Sequence, residues 1–298
     1  MAIVCKSRME IEKMRRSGHV VRQVLDDVRR LVVPGATTMD LERAAEQKMK
    51  DLGAKPAFKG YYDYPCVLCT SVNEEIVHGI PSEKRVLETG DIVSVDCGVV
   101  LDGYYGDAAI TVPVGEEVTP ELHKLLSVTE AALYRGIDQA RIGNAVGDVG
   151  AAVQEYVEAH GFSVVREFVG HGIGTRLHEE PQVPNFGTRG RGARLCQGMV
   201  IAIEPMVNYG KPEARLLGDK WTAVTADGSY SAHFEHCVAV TRDGPVILTQ
   251  WGVTDCNEAR ELGFQPIDGN WDLRTGNQEP NSAGVGEGVC CRNQGADE

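Results

Sequence analysis

The sequence predicts an α+β domain made of two related halves, in which helices cover a curved antiparallel sheet. Three observations predict it. Unlike features recur at one constant spacing of 108 residues: Gly35 with Gly143, Asp40 with Asp148, Gly53 with Gly161, Gly90 with Gly198, and Asp96 with Glu204. Each half opens with two segments of helical period separated by a glycine turn. Each half then changes to β-branched runs of strand length.

Apolar residues recur with helical period over residues 9–31 and again over 38–52, where Gly53 stands as the glycine that ends a helix. The run "GDIVSVDCGVVLDGYYGDAAITV" places two strands around Asp102-Gly103, a strong hairpin signal, so Asp96 and Asp107 are expected on paired antiparallel strands. The second half predicts helices over 121–140 and 146–160, the latter ended by Gly161. Its strands, "GMVIAIEPMV" and "SAHFEHCVAVT", put Glu204 and Glu235 in the places of Asp96 and Asp107, with a longer connection that carries Trp221. The repeat units span about 9–111 and 117–241 within a single catalytic domain, residues 1–250. Residues 251–298, rich in Gly, Asn and Glu and nearly free of apolar period, read as a disordered tail.

A formal charge of -13 over 298 residues argues against charge-driven binding to nucleic acid or to an anionic membrane. The first residues lack the apolar core of a signal peptide, and no stretch reaches the roughly 18 apolar residues of a membrane span. The expected location is cytoplasmic, and the nine cysteines are expected to be reduced thiols. Cys66 and Cys69 form a lone CxxC without the second pair that a zinc knuckle needs.

Taken singly, Asp96, Asp107, Glu204 and Glu235 each read as a solvated carboxylate at a strand end. As a repeat-related set embedded in apolar runs they converge, and four buried carboxylates cannot all ionise without compensation. Two divalent cations roughly 3.5–4 Å apart, sharing bridging carboxylates and holding a water as hydroxide, would provide it. "FVGHGIGTRLHEEP" supplies an imidazole: the flanking glycines suggest a loop that brings His171 into a crowded site, leaving His178 free to act near substrate. Oxygen ligands with one imidazole favour Mn or Fe and accommodate Co, with Zn left open. Glu179 and Glu180 read as a brace for the "PQVP" turn that follows.

The segments "NEEIVHGIP", "GDIVSVDCGVVLDGYYGD", "EFVGHGIGTRLHEEPQVPNF", "GMVIAIEPMVN" and "FEHCVAVT" resemble, in order, the signature segments of type I methionine aminopeptidases, over about residues 9–248. The resemblance implies the pita-bread fold and a dinuclear site that removes the initiator methionine from nascent proteins whose second residue is small. Residue by residue, it implies Asp96, Asp107, His171, Glu204 and Glu235 as metal ligands, with Asp107 and Glu235 bridging. It further implies attack of a metal-activated hydroxide on the first peptide carbonyl, with His178 at the carbonyl oxygen, His78 at the scissile nitrogen and Glu204 as proton shuttle. The methionine pocket is expected from Tyr61, Tyr64 and Cys69, with Phe58, Leu177 and Trp221 at its rim. Residue 177 is often aromatic in this family and residue 58 often smaller, so the pocket is expected to be reshaped here. A monomer acting on the amino-terminal peptide of nascent polypeptides, with the ribosome as a candidate neighbour, completes the implied picture.

Two other readings share these residues. An aminopeptidase P or prolidase type would cut before proline, with further histidine motifs and a large preceding domain. A catalytically silent binding protein of the same fold would have lost the ligands, all five of which are present.

Overall fold

The computed structural model describes residues 2–250, so the tail expected over 251–298 lies outside the described residues. The first half contains helices α1 (Arg8–Leu31) and α2 (Thr38–Asp51), then strands β1 (Lys55–Pro56), β2 (Leu68–Val72), β3 (Glu75–Val77), β4 (Ile92–Leu101) and β5 (Tyr104–Pro113). The second half contains α3 (Pro120–Ile137), α4 (Val146–Ala159), β6 (Ser163–Val164), β7 (Gly170–Gly172), β8 (Glu179–Val183), β9 (Val200–Ile203) and β10 (Met206–Asn208). It continues with β11 (Ala214–Leu216), β12 (Ala223–Thr225), β13 (Ser231–His233), β14 (His236–Thr241) and β15 (Gly244–Ile247).

The helix ends differ from expectation by one to three residues, for local reasons. Ser7 and Glu10 form a capping box that starts α1 at Arg8, and Thr119 with Pro120 in the first turn starts α3 one residue early. The amide of Ala140 donates to the Ile137 carbonyl, which closes α3 in a turn.

The 108-residue spacing is written into the backbone hydrogen bonds. Gly35 N donates to Leu87 O at 2.8 Å, and Gly143 N to Leu195 O at 3.2 Å. Thr38 N donates to Arg85 O and Val146 N to Ala193 O, both at 3.0 Å. Gly90 and Gly198, each left-handed, donate to Val114 O and Val240 O. Asp40 and Asp148 cap equivalent helices by accepting from the amides of Thr37 and Ala145. Such coincidences follow from one supersecondary unit used twice.

The amphipathic faces of all four helices pack on the strands. Val21, Val24, Leu25 and Val28 of α1 share a core with Val93, Val95 and Val99 of β4, and Leu125, Leu133, Val149 and Val153 of α3 and α4 with Ile201, Ile203 and Val238. Each such aliphatic side chain contributes about 1.5–3 kcal/mol on burial. Antiparallel pairing runs throughout: β4 pairs with β5 over its whole length and with β1 and β2, while β15, β14, β9, β7 and β8 form a five-stranded sheet. Among the described residues, no helix is long and apolar enough to cross a membrane.

Candidate metal centre

Asp96 and Asp107 stand on the β4–β5 hairpin, turned by Asp102 and Gly103 with φ of 51° and 79°. Asp96 faces Ala109, and Asp107 faces Gly98. In the second half, β9 pairs with β14 and β10 with β13 in one continuous register, Ile203 opposite His236 and Met206 opposite His233. Glu204 and Glu235 fall in the break between these ladders, directly opposite each other. This corrects one sequence expectation. With Glu204 equivalent to Asp96, Glu235 takes the place of Ala109, and His233 takes that of Asp107. Counting through the longer connection concealed the shift.

Glu235 N donates to Ala109 O at 2.9 Å, Cys237 Sγ to Asp107 O at 3.1 Å, and Thr111 Oγ1 to His233 O at 2.8 Å. These bonds join β5 to β13, to β14 and to the break between them, which brings Glu235 beside Asp107. Ligand atoms of Asp107, His171 and Glu235 lie within 4.8 Å of one another. Asp96 lies close enough to Asp107 for their charges to repel. His171 Nε2 lies 3.5 Å from Glu204 Oε1 and 4.0 Å from Asp107 Oδ2.

His171 sits in strand β7, between β8 and β9, not in a loop. Its flanking glycines serve close approach: a Cβ at Gly170 would lie 2.3 Å from Ala202 O, and one at Gly172 would lie 2.2 Å from Glu180 O. His171 Nδ1 is 2.9 Å from Gly172 O. A carbonyl only accepts, so Nδ1 carries the proton and Nε2 presents a lone pair to the acids. Burial depresses the imidazole pKa to about 3, which keeps the ring neutral.

The electrostatics ask for cations. Burial first, then mutual repulsion, holds Asp107, Glu204 and Glu235 well above the carboxylate range, and burial pushes Asp96 up to about 7. Asp96 Oδ1, Asp107 Oδ1 and Glu235 Oε1 are buried without a hydrogen-bond partner. Buried polar atoms are seldom left so, and three orphaned oxygens beside an unprotonated imidazole nitrogen fit hard divalent metals.

Around this centre lie the residues expected to touch substrate. His178 is exposed, its ring edge-on to His171 at 4.3 Å between centroids. Tyr61 Oη lies 2.8 Å from His178 Nδ1, a contact the sequence did not reveal. His78 adopts a left-handed φ of 61°, a strain that concentrates at functional positions, and stacks edge-on with Trp221 and Phe168. Trp221 also packs on Tyr64, whose hydroxyl lies 3.0 Å from Gly79 O. Tyr64, Cys69, Phe58 and Leu177 are buried in one apolar cluster, with Tyr61 and Trp221 packed against it. Glu179 departs from expectation: it braces the turn before it, accepting from the amides of Thr175 and Arg176, and not the turn after.

His233 is the residue that sequence reading passed over. It is buried, its Nε2 lies 3.9 Å from Glu204 Oε2 and lacks a hydrogen-bond partner, and burial depresses its pKa to about 3. The signal was present: in an extended segment His233 shares a face with Glu235, two residues on.

Comparison with known proteins agrees with this geometry. Residues 12–242 match metallopeptidase family M24. The methionine aminopeptidase of Clostridium acetobutylicum is 50% identical over 247 residues, covering 83% of this chain and 98% of the relative. Methionine aminopeptidase 1 of Bacillus subtilis is 48% identical over 248 residues, covering 83% and 99%. The crystal structure of the methionine aminopeptidase of Thermotoga maritima superposes with a TM-score of 0.82 at 48% identity, covering 84% of this chain and all of that one. With most of its length matched and half of the matched residues identical, this chain belongs to metallopeptidase family M24, among the methionine aminopeptidases.

Proposed function

We propose that this chain removes the amino-terminal methionine from nascent polypeptides with a small second residue, using two divalent metal ions that Asp96, Asp107, His171, Glu204 and Glu235 would hold. One observation carries the metal assignment: three buried carboxylate oxygens without partners beside the lone pair of His171 Nε2. Methionine aminopeptidase homologues at about half identity support the reaction.

When bound, such ions polarise the scissile carbonyl and bring the pKa of water near neutrality. The chain does the rest. His178 supplies a donor to the carbonyl oxygen as that atom gains negative charge. With Tyr61 donating to its Nδ1, the ring keeps its proton on Nε2, the atom free to face substrate. Burial holds the Tyr61 pKa above its ordinary value, so the hydroxyl has a proton to give. His78 stands at the scissile nitrogen, and burial lowers its pKa to about 4, so it acts as a neutral ring. Glu204 takes the proton from the attacking water and passes it to the leaving amine. The apolar cluster of Tyr64, Cys69, Phe58, Leu177, Tyr61 and Trp221 receives the methionine side chain, whose flexible thioether suits an aromatic-lined pocket.

The same reading assigns the work to the cytoplasm, on chains leaving the ribosome, by a monomer. The metal is Mn, Fe, Co or Zn. Metal-free protein reconstituted with each ion and assayed on Met-Ala-Ser and on Xaa-Pro peptides tests the proposal. Release of methionine with about two ions bound supports it, and preference for Xaa-Pro cleavage overturns it.

A further inference from the structure

The segment ahead of α1 reaches the active site through a buried ion pair. Lys6 Nζ lies 2.7 Å from Glu179 Oε2, and both side chains are only 3% exposed. Glu179 Oε1 accepts from the amides of Thr175 (3.0 Å) and Arg176 (3.2 Å), the two residues before Leu177 and His178. Lys6 is fixed in turn. Its amide donates to Gly198 O, its ammonium donates to Val4 O at 3.1 Å, and Ser7 beside it caps α1. The turn between Gly174 and His178 is built around the pair: a Cβ at Gly174 would lie 2.5 Å from Lys6 Cε and 2.7 Å from Glu179 Oε1.

A buried ion pair is a poor way to gain stability, because desolvation offsets the attraction; what it can fix is geometry. Here the geometry fixed is that of His178. An isolated structural pair would need no hydrogen bonds to the turn, yet one oxygen of Glu179 is given wholly to that turn while the other meets Lys6.

We infer that Lys6 and Glu179 are positioning residues for His178, so that the chain ahead of α1 sets the carbonyl-binding histidine in place. This rests on the role proposed above for His178. A misplacement of about 1 Å at a catalytic group can cost on the order of 10²-fold in rate. Lys6→Met keeps the apolar stem and removes the charge. The expected result is a fall in kcat on Met-Ala-Ser of about tenfold or more at temperatures well below melting, with KM and metal content near those of the parent. Lys6→Met/Glu179→Gln leaves no buried charge and keeps an oxygen for the two amides, so it recovers most of the loss.

A double-mutant cycle separates positioning from plain stability. In a His178→Ala background, Lys6→Met should cost little further turnover while still lowering Tm. Multiplying losses, or a lowered Tm with the parent's kcat, would overturn the inference. If Lys6→Met does not fold, Glu179→Gln run through the same cycle gives the same test. Full turnover by His178→Ala alone would sink the role given to His178 and the inference with it, an outcome distinct from multiplying losses.

Discussion

Replacing Asp96 by Asn should destabilise the metal-loaded protein and stabilise the metal-free one, and the second effect should depend on pH. Asp96 is pushed from an ordinary 3.8 to about 7 by burial. A carboxyl with a raised pKa in the folded state contributes stability that is fully present below the unfolded value and lost as pH rises through the folded value. At 1.36 kcal/mol per pH unit, the rise corresponds to about 4 kcal/mol of stability lost between about pH 4 and pH 8 in the absence of metal. Asn has the shape of the protonated acid and does not titrate. In the presence of a chelator, parent and Asp96→Asn should melt together near pH 4. At pH 8 the variant should melt higher by on the order of 10 °C, at 2–4 °C per kcal/mol for a domain of this size. Histidines with depressed pKa values, such as His171 and His233, titrate in the opposite sense, but in both proteins, so the difference between the two curves reads Asp96 together with the relief its removal gives Asp107, Glu204 and Glu235. Scanning calorimetry across this range, with and without Mn²⁺, is the assay. A metal-free Asp96→Asn that melts below the metal-free parent at pH 8 would refute the claim that cations relieve a strained cluster.

Other substitutions test single parts of the site. Asp107→Ala or Glu235→Ala should abolish both turnover and retention of two ions, because each removes a buried carboxylate oxygen that has no other partner; metal analysis after gel filtration reads the outcome. His178→Ala should keep its metal and lose about 10²-fold in kcat, the usual cost of one transition-state donor. Loss of metal would show that the two histidines do not divide their tasks as proposed. Tyr61→Phe should lower kcat by about tenfold with metal content unchanged, since it removes only the hydrogen bond that selects the His178 tautomer. A rise in KM alone would mean that the hydroxyl, like the ring, serves the methionine pocket and does not set the His178 tautomer.

What was legible in the sequence was local or periodic. Helices and the Asp102-Gly103 hairpin leave signals within a few residues, the repeat leaves one at constant spacing, and Asp96 and Glu204 sit in its equivalent frames, while His171 is legible only from its glycine-flanked segment and the family resemblance. Three things were not legible. The glycines around His171 suggest a turn, although their purpose is the approach of neighbouring backbone, which depends on strands distant in sequence. Sequence order pairs Glu235 with Asp107 because spacing cannot be carried through an insertion; only the register of β9 with β14 and of β10 with β13 shows that it stands opposite Glu204. Lys6 and Glu179 are 173 residues apart, and nothing in either's surroundings announces the other.

The two kinds of functional residue are held in different ways, and this governs how the site fails. Asp96, Asp107 and His171 lie in strands, and Glu204 and Glu235 at the break between two ladders, Glu235 bonded to β5 and Glu204 to Asn185, so their spacing is set by ladders that the core keeps rigid. His78 and His178 lie outside the ladders. The first is held in a left-handed conformation, with the following Gly79 bonded to Ser71 Oγ and Thr70 N; the second rides on a turn tied by Tyr61 and Glu179. Damage to a support such as Tyr61, Lys6 or Glu179 should therefore reach kcat without reaching the metal. Damage to the β5–β14 contact should lose both together. Cys237→Ser tests the second half of that statement: the shorter Ser Oγ cannot span the 3.1 Å contact in the same way and replaces a thiol buried among apolar neighbours. Metal retention and kcat should fall in parallel in this variant. A Cys237→Ser protein that keeps both ions but loses turnover would mean that the acids are not positioned by the joint between the halves.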